Sequence, residues 1–515
     1  MSRRPAEPAE PARQENGMPV PHRPHRRSGR RPNRRLRALL AEARWTQGAL
    51  ARAVNAAAAE VGLSLGYDRT SVAHWLSGTR PRAPVPELVA EVFTRRLQRT
   101  VSPASAGFPT APPQGDPRSD RRRKRSPEAG LVALAGTEAD PARRVAAQQQ
   151  PYREALLRTA HQDTPAPRKP FPWHGDHPAD AEIRMLQCAE RFYAASLDAH
   201  GGRSARSSLA AYLTQDVAHW LRSARTEHAH RTALVEASRL TFLLARMYED
   251  TAAHGLAQQC FVISQQLAAE SGDRLAWAIG LRGLSAQGLS LGHHRAALHA
   301  AEAAAEAGQR AGGGPGAYLL AQLAVAQAAC GLRRQALRSL GHAEHCMESA
   351  LEPAAEPGHE HGPFTTYTPA ALDFQRARAL RFLGDSSAAC EALARSLAVR
   401  PATDRRGLAL SHAQRAEILL RSGHIEEACL SWHSFLEHYR YLRSGAADTA
   451  AVRLRRLLAP YRRTPAAARV LARVAAEQGG RYRRLAPGRR RPGGHFHSVQ
   501  HLRCRLHNSR RARHC

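Results

Sequence analysis

Five segments between residues 245 and 435 repeat one spacing of small residues, and this repetition restricts the fold more than any other feature. Four segments are anchored by glycine, at Gly292, Gly331, Gly384 and Gly423, and Ala252 occupies the corresponding place of a degenerate first member. Small residues recur seven positions before, five after and twelve after the anchors, with one exception. The positions are Ala245, Ala257, Ser264, Ser285, Ala297, Ala304, Ala324, Ala336, Ala343, Ala377, Ala389, Ser396, Ala416, Ala428 and the exception, Phe435.

This spacing predicts pairs of antiparallel helices. Two helices approach closely only where side chains are small, and glycine allows the tight turn that joins them. Larger apolar residues nine positions after the anchors, at Leu340, Leu393 and Trp432, would fill the space between neighbouring pairs. The alternative is a chance alignment in an alanine-rich chain, but glycine at four of five anchors argues against it. We therefore predict an all-α chain with an α-solenoid of helical hairpins.

The small positions and turn glycines resemble those of the tetratricopeptide repeat. The anchor spacings of 40, 39, 53 and 39 residues exceed the usual period of about 34, and the longest interval predicts a loop at 352–369. The resemblance implies a concave groove that binds a peptide or protein segment. In the usual repeat geometry four charged residues would face this groove, the alternative for each being a solvated surface. They are Arg282, Arg378, Arg381 and Glu417.

Two motifs near the amino terminus predict a DNA-binding domain. Residues 45–55 read WTQGALARAVN, and residues 68–82 read DRTSVAHWLSGTRPR. Together they resemble the XRE-type helix-turn-helix, in which a Thr-Gln pair opens the second helix and a Val-x-x-Trp pair lies on the third. Thr46 is expected to cap the second helix. The stretch 55–67 is longer than the turn usual in this family, so the course of the chain before Asp68 stays open.

The outer face of the third helix is the expected DNA contact surface. Val72, Trp75 and Leu76 form an inward stripe, which leaves the other face to enter a major groove. Arg69 carries a forked pair of donors that suits a guanine edge. The predicted DNA-contacting residues are Thr46, Gln47, Arg69, Thr70, Ser71, His74, Arg80 and Arg82. The alternative is a small helical domain with an incidental Thr-Gln pair.

Charge and composition divide the rest of the chain. The formal net charge is +32, and although abundant arginine also fits a GC-rich genome, its concentration at both ends favours double-stranded DNA as a partner. We predict six regions: a disordered basic arm at 1–32, the helix-turn-helix domain at 33–99, a flexible basic linker at 100–127, a poorly defined helical or linker segment at 128–179, the repeat domain at 180–479 and a disordered basic tail at 480–515.

The sequence contains no motif of catalysis or membrane insertion. It holds no GxxxxGK, HExxH or nucleophile elbow, so we expect no enzyme and no cofactor. The eight cysteines lack a CxxC pair and are expected to be reduced thiols. No apolar stretch reaches about 20 residues, which predicts a cytoplasmic, nucleoid-associated protein without a membrane partner. The tail contains four histidines and one cysteine that could be taken for a metal site, but we interpret their clustering as incidental and predict no metal site. They are His495, His497, His501, Cys504 and His507.

The order of basic arm, lengthened helix-turn-helix and long repeat array resembles a group of actinobacterial regulators that includes negative regulators of sporulation and antibiotic production. The segments 190–222 and 255–273 also look like the interior of those proteins. The resemblance implies a transcription regulator, a repressor by analogy, of development or secondary metabolism. A homodimer is expected because one small module reads few base pairs. Two alternatives stay open: a repeat scaffold without specific DNA binding, and a receptor for a peptide signal.

Overall fold

The amino-terminal unit is built from four helices, α1 (Arg34–Ala43), α2 (Gln47–Glu60), α3 (Arg69–Leu76) and α4 (Val85–Leu97). The computed structural model describes residues 31–108, 126–148, 150–162, 165, 179–223, 226–351 and 367–485. The predicted disordered arm (except 31 and 32), most of the predicted linker, residues 352–366 of the loop predicted at 352–369 and the tail from 486 lie outside the described residues.

The amino-terminal unit extends further than predicted. Val101, Ala106 and Phe108 are buried in the same core as Leu36, Leu50, Val72 and Trp75 of the helices. The Asn33 side chain caps α1 and also donates to the carbonyl oxygen of Ala106 at 3.0 Å. The prediction that a flexible linker begins at residue 100 is therefore wrong, because the apolar residues after α4 complete the core. The unit comprises residues 33–108.

The lengthened stretch between the second and third helices is ordered by side-chain contacts. Part of the extra length continues α2 to Glu60, and the rest forms a loop at 61–68. The Asn55 side chain donates to the Tyr67 carbonyl at 2.8 Å and accepts from the Tyr67 amide at 3.0 Å. The Tyr67 ring meets that of Trp75 edge to face, with centroids 5.0 Å apart. These contacts fix where α3 begins.

The segment at 128–179, predicted as a poorly defined helical or linker segment, contributes three helices to the array. They are α5 (Pro127–Ala135), α6 (Pro141–Gln148) and α7 (Glu154–Thr159). Leu131 and Leu157 are fully buried in the largest core cluster. Glu138, which is 2% exposed, binds Arg206 at 2.9 Å and accepts a hydrogen bond from the Tyr248 hydroxyl at 3.0 Å. Two of these short helices begin at a proline, a residue compatible with the first turn of a helix.

Helical hairpins make up the rest of the described chain, confirming the predicted all-α solenoid. Three helices precede the repeats: α8 (Ala179–His200), α9 (Arg206–Tyr212) and α10 (Ala218–Ser223). The hairpins and two final helices are α11 (Glu227–Asp250) with α12 (His254–Ser271), α13 (Arg274–Ser290) with α14 (His294–Ala307), α15 (Gly313–Ala329) with α16 (Arg333–Leu351), α17 (Pro369–Phe382) with α18 (Ser386–Val399), α19 (Arg405–Arg421) with α20 (Ile425–Tyr439), α21 (Gly445–Leu458) and α22 (Pro465–Leu485). The last helix thus continues past the predicted end at 479.

The repeated positions have the geometry that their spacing predicted. Each anchor lies in the turn between two paired helices and has a positive φ, from +62° at Ala252 to +88° at Gly292. All fifteen of these repeated positions, Phe435 included, are buried, and none is more than 1% exposed. Some of the serines also bridge helices: the Ser285 hydroxyl donates to the Ala297 carbonyl at 2.8 Å. Small side chains therefore set the close approach of each pair.

The first and last hairpins of the array are joined by Asp250, at the end of α11. Its carboxylate is fully buried and binds Arg406 of α19 at 2.6 Å. It also accepts hydrogen bonds from the Ser444 hydroxyl at 2.8 Å and the Gly202 amide at 2.9 Å. These contacts connect hairpins whose bonded residues, Asp250 and Arg406, lie 156 positions apart in the sequence.

No helix in the described part of the chain has the length and apolar character of a membrane span.

Candidate DNA-binding surface and repeat cavity

The third helix begins at a reciprocal capping arrangement. The Asp68 side chain accepts from the Ser71 amide and from the Ser71 hydroxyl, both at 2.8 Å. These hydrogen bonds, led by that of the backbone amide, lower the pKa of the exposed Asp68 carboxyl. Ser71 was predicted to contact DNA, but the structure engages its hydroxyl in the cap of α3. A helix this short depends on such a cap to hold its first turn.

The two faces of α3 separate as the sequence predicted. Val72, Trp75 and Leu76 are buried beneath the helix. Arg69, Thr70 and His74 are exposed on it, and Ser71 is half-buried. The outward face therefore presents a forked cation, a hydroxyl and an imidazole, all of which can bind base edges or phosphates.

The remaining predicted contacts lie at the start of α2 and after α3. The Thr46 hydroxyl caps α2 by accepting from the Ala49 amide at 3.2 Å, and Gln47 beside it is half-buried. Arg80 and Arg82 are exposed. Arg80 also lines an open cleft of about 940 Å³ together with Arg31, Arg34 and Arg35, residues the sequence analysis did not single out. This clustered charge favours an anion such as a phosphate group.

The amino-terminal unit is docked on the array through α4. Glu91 lies 2.7 Å from the imidazole Nε2 of His293, and the Gln98 side chain donates to the carbonyl of Gly292, a repeat anchor, at 2.6 Å. Burial opposes ionisation of Glu91, but its contacts with His293 and Arg95 outweigh burial and lower the pKa of the carboxyl. Sequence analysis missed this interface, because nothing in the local pattern relates residues about 200 positions apart.

A cavity of about 800 Å³ lies between α2 and the concave side of the array. Arg282 and Arg378 line it, as predicted for the groove. Arg381 and Glu417, also predicted to face the groove, are not among the residues that line this cavity. The buried Glu417 carboxylate binds Arg453 at 3.1 Å and lies 3.8 Å from Arg381, so these charges compensate one another.

Charges inside the cavity are unevenly paired. Asp250 and Asp404 bind Arg406 and Arg400 respectively. The Arg282 guanidinium stands 3.8 Å from the centroid of the Tyr318 ring, an arrangement that stabilises a cation without neutralising it. These contacts leave the cavity wall cationic around Arg282.

The described residues contain no group of three or more His, Cys, Asp or Glu that could hold a metal ion. The histidines and cysteine of the tail lie outside the described residues. Six described cysteines are free thiols, and burial raises the pKa of Cys260 and Cys429 among them. Such thiols suit core packing better than ligation or nucleophilic attack.

Comparison with known families matches one part of the chain. Residues 36–109 match the family model described as the SP15 N-terminal domain. The match spans the amino-terminal unit and ends one residue after the buried Phe108, which supports the boundary that the core defines. No curated protein matches the chain, and no solved structure matches it.

Proposed function

We propose that this chain is a sequence-specific DNA-binding regulator of transcription, controlled through its repeat array. The observation that carries the proposal is the orientation of the amino-terminal unit. The unit contacts the array through α4 and borders the shared cavity with α2, while Arg69, Thr70 and His74 of α3 stay exposed. An exposed, capped helix with a cationic outer face and a buried stripe is the geometry that major-groove recognition requires.

Control of DNA binding would act where the two units meet. Ala56, Ala59 and Glu60 of α2 line the same cavity as Arg282 and Arg378 of the array. A ligand in this cavity contacts both units, so it changes the population of the docked arrangement if its affinity differs between docked and undocked states. The proposed function is therefore a DNA-binding module whose position responds to cavity occupancy.

The family relationships belong to the same proposal. Similarity of residues 45–82 to XRE-type domains and of the hairpins to tetratricopeptide regulators favours a repressor of development or secondary metabolism. A homodimer on paired half-sites would supply the base contacts that one short helix lacks. The nucleoid is then the expected location.

Selection of bound sequences from a random DNA library, using the full chain, tests the proposal. The wild-type protein should enrich a two-fold related motif, and Arg69→Ala should weaken binding to it by about 1–3 kcal/mol while relaxing the preference at one base pair. Arg338→Ala is the matched control, because Arg338 is an exposed arginine of α16 in the array. It should leave both affinity and motif unchanged.

Two outcomes would contradict the proposal. If the wild-type chain enriches no motif at moderate salt, specific recognition is absent and the repeat scaffold becomes the better description. If Arg69→Ala and Arg338→Ala bind the selected motif equally well, the outward face of α3 is not the reading surface.

A further inference from the structure

The cavity between α2 and the array is a partly open pocket bounded by both units. Asp250, which joins the first hairpin to α19 and α21, lies in its wall. Ala56, Ala59 and Glu60 of α2 line it on the side of the amino-terminal unit. A volume of about 800 Å³ lies within the range of about 300–1,000 Å³ typical of small-molecule sites.

Three arginines of the cavity lack a carboxylate partner. Among the described residues, no carboxylate lies within ion-pair distance of Arg246, Arg282 or Arg378, whereas Arg400, Arg406 and Arg453 are each paired. Arg282 is 8% exposed, and its Nε has no hydrogen-bond partner in the described part of the chain. Arg378 donates to a neutral acceptor, the side-chain oxygen of Gln375, at 3.0 Å. A buried guanidinium with an unused donor is costly unless an acceptor reaches it.

The shifted pKa values of groups in the cavity agree with a shortage of negative charge beside the arginines. Burial, followed by the nearby charge of Arg282, lowers the pKa of Arg378 to about 10. Burial also raises the pKa of Glu249 and Asp198, two further carboxyls of the wall. Arg282 and Arg378 thus repel each other, and the attraction of Glu249 offsets this repulsion only in part.

Aromatic side chains lie beside these cations. Tyr318 carries its ring against the Arg282 guanidinium and packs edge to face on Tyr367, with centroids 5.0 Å apart. The Tyr367 hydroxyl is buried with no hydrogen-bond partner among the described residues, and burial raises the pKa of this phenol. Phe374 adds an apolar surface to the same wall. A ligand that fits has an acceptor-bearing end and an apolar body.

We propose that this cavity binds a small organic anion, whose carboxylate or phosphate lies between Arg282 and Arg378 and whose apolar part lies against Tyr367 and Phe374. The inference deepens the proposed function, since it names the class of ligand that occupies the regulatory cavity. Forked guanidinium donors match the geometry of carboxylate and phosphate oxygens. The Tyr367 hydroxyl supplies a further donor.

Calorimetric titration of the full chain without DNA tests the inference. The probes are benzoate and phenyl phosphate, with benzamide as the neutral analogue and inorganic phosphate as the anion without an apolar part, all at one ionic strength. At least one aromatic anion should bind the wild type, with benzamide and inorganic phosphate much weaker. The stronger of the two anions identifies a carboxylate or a phosphate as the preferred group.

Variants of the two arginines locate the binding. Arg282→Gln and Arg378→Gln should each weaken binding of the better anion by about tenfold or more, and Arg338→Gln should leave it unchanged. Arg282→Lys keeps the charge but loses the fork, so intermediate affinity is expected. Circular dichroism establishes that each variant is folded; if Arg282→Gln is not, Arg378→Gln carries the comparison.

The inference is overturned if neither aromatic anion binds at millimolar concentration, if benzamide binds as well as the anions do, or if folded arginine variants retain wild-type affinity. Because no DNA is present, these outcomes are independent of the DNA selection. If an anion binds but the DNA selection enriches no motif, the inferred anion site stands and the proposed DNA-binding function fails.

Discussion

Glu190 of α8 shows how a single buried charge affects this molecule. The residue is 3% exposed, and one carboxylate oxygen has no hydrogen-bond partner among the described residues. Burial, together with the nearby Glu236, outweighs the attraction of Arg239 and raises the pKa of Glu190 to about 7. Arg239 is itself paired with Glu236 at 3.0 Å, so it compensates Glu190 only in part.

Glu190→Gln should stabilise the protein at alkaline pH. The folded-state pKa of about 7 lies above the ordinary value of 4.5, so the unfolded chain releases this proton first. Stability therefore falls as pH rises between these values, by up to about 3 kcal/mol from this group above pH 7. Thermal melts of wild type and variant should coincide near pH 4 and diverge by pH 8. The exposed Glu182→Gln on the same helix is the control, and equal divergence in it would refute this account.

At the scale of the element, the repeated unit is a pair of helices joined by a turn residue of positive φ. The turn glycine permits the reversal, and the alanines five residues later allow the second helix to pack closely. Neighbouring hairpins then bury larger residues such as Leu393 and Trp432. Turn and contact are thus supplied by different residues of one repeat.

Gly331→Ala should destabilise the hairpin of α15 and α16 by about 1–2 kcal/mol, because its φ of +79° is unfavourable for alanine. Gly341→Ala, within α16, is the matched control. An added methyl group meets nothing within 4 Å at either site, so the two differ in backbone conformation alone. The control should be stabilised by up to about 1 kcal/mol. Denaturant unfolding, together with hydrogen exchange in α15, measures the stability change in both variants. A change of the same sign in both would contradict the explanation.

At the scale of the whole molecule, polar contacts hold the amino-terminal unit on the array. The contacts of Glu91 with His293 and of Gln98 with Gly292 are joined by a hydrogen bond from the Thr100 hydroxyl to Glu154 at 2.8 Å. Interfaces of this polar kind between units of one chain permit relative motion. The proposed regulation by cavity occupancy depends on that property.

Glu91→Gln should loosen the docking, because the charge facing His293 is lost. The Arg295 amide is a direct reporter: it lies in the first turn of α14, where no intrahelical acceptor exists, and donates to the Gln98 side chain at 3.2 Å. Its hydrogen exchange should accelerate by about tenfold or more, as expected for a lost charged hydrogen bond. Glu42→Gln breaks an exposed ion pair with Arg99 inside the unit and should leave this amide unchanged. Equal exchange in both variants would mean that Glu91 does not hold the interface.

Local pattern determined much of this protein. Helix caps such as Thr46, the inward stripe of Val72 and Trp75, and the repeated turn residues were predictable, because each depends on residues within one or two helical turns. The turns and the close helix contacts require glycine and small residues at a repeated spacing in the sequence. The all-α solenoid was predicted from that spacing.

Only tertiary structure decided which charges remain available and where the units meet. Arg282 and Arg381 were both predicted to face the groove, but Arg381 lies beside the buried Glu417, whereas Arg282 faces the cavity without a carboxylate partner among the described residues. The docking of α4 on Gly292 and the packing of Phe108 likewise depend on distant contacts. Contacts between residues far apart in sequence have no period, so their energies become visible only when the folded chain brings the partners together.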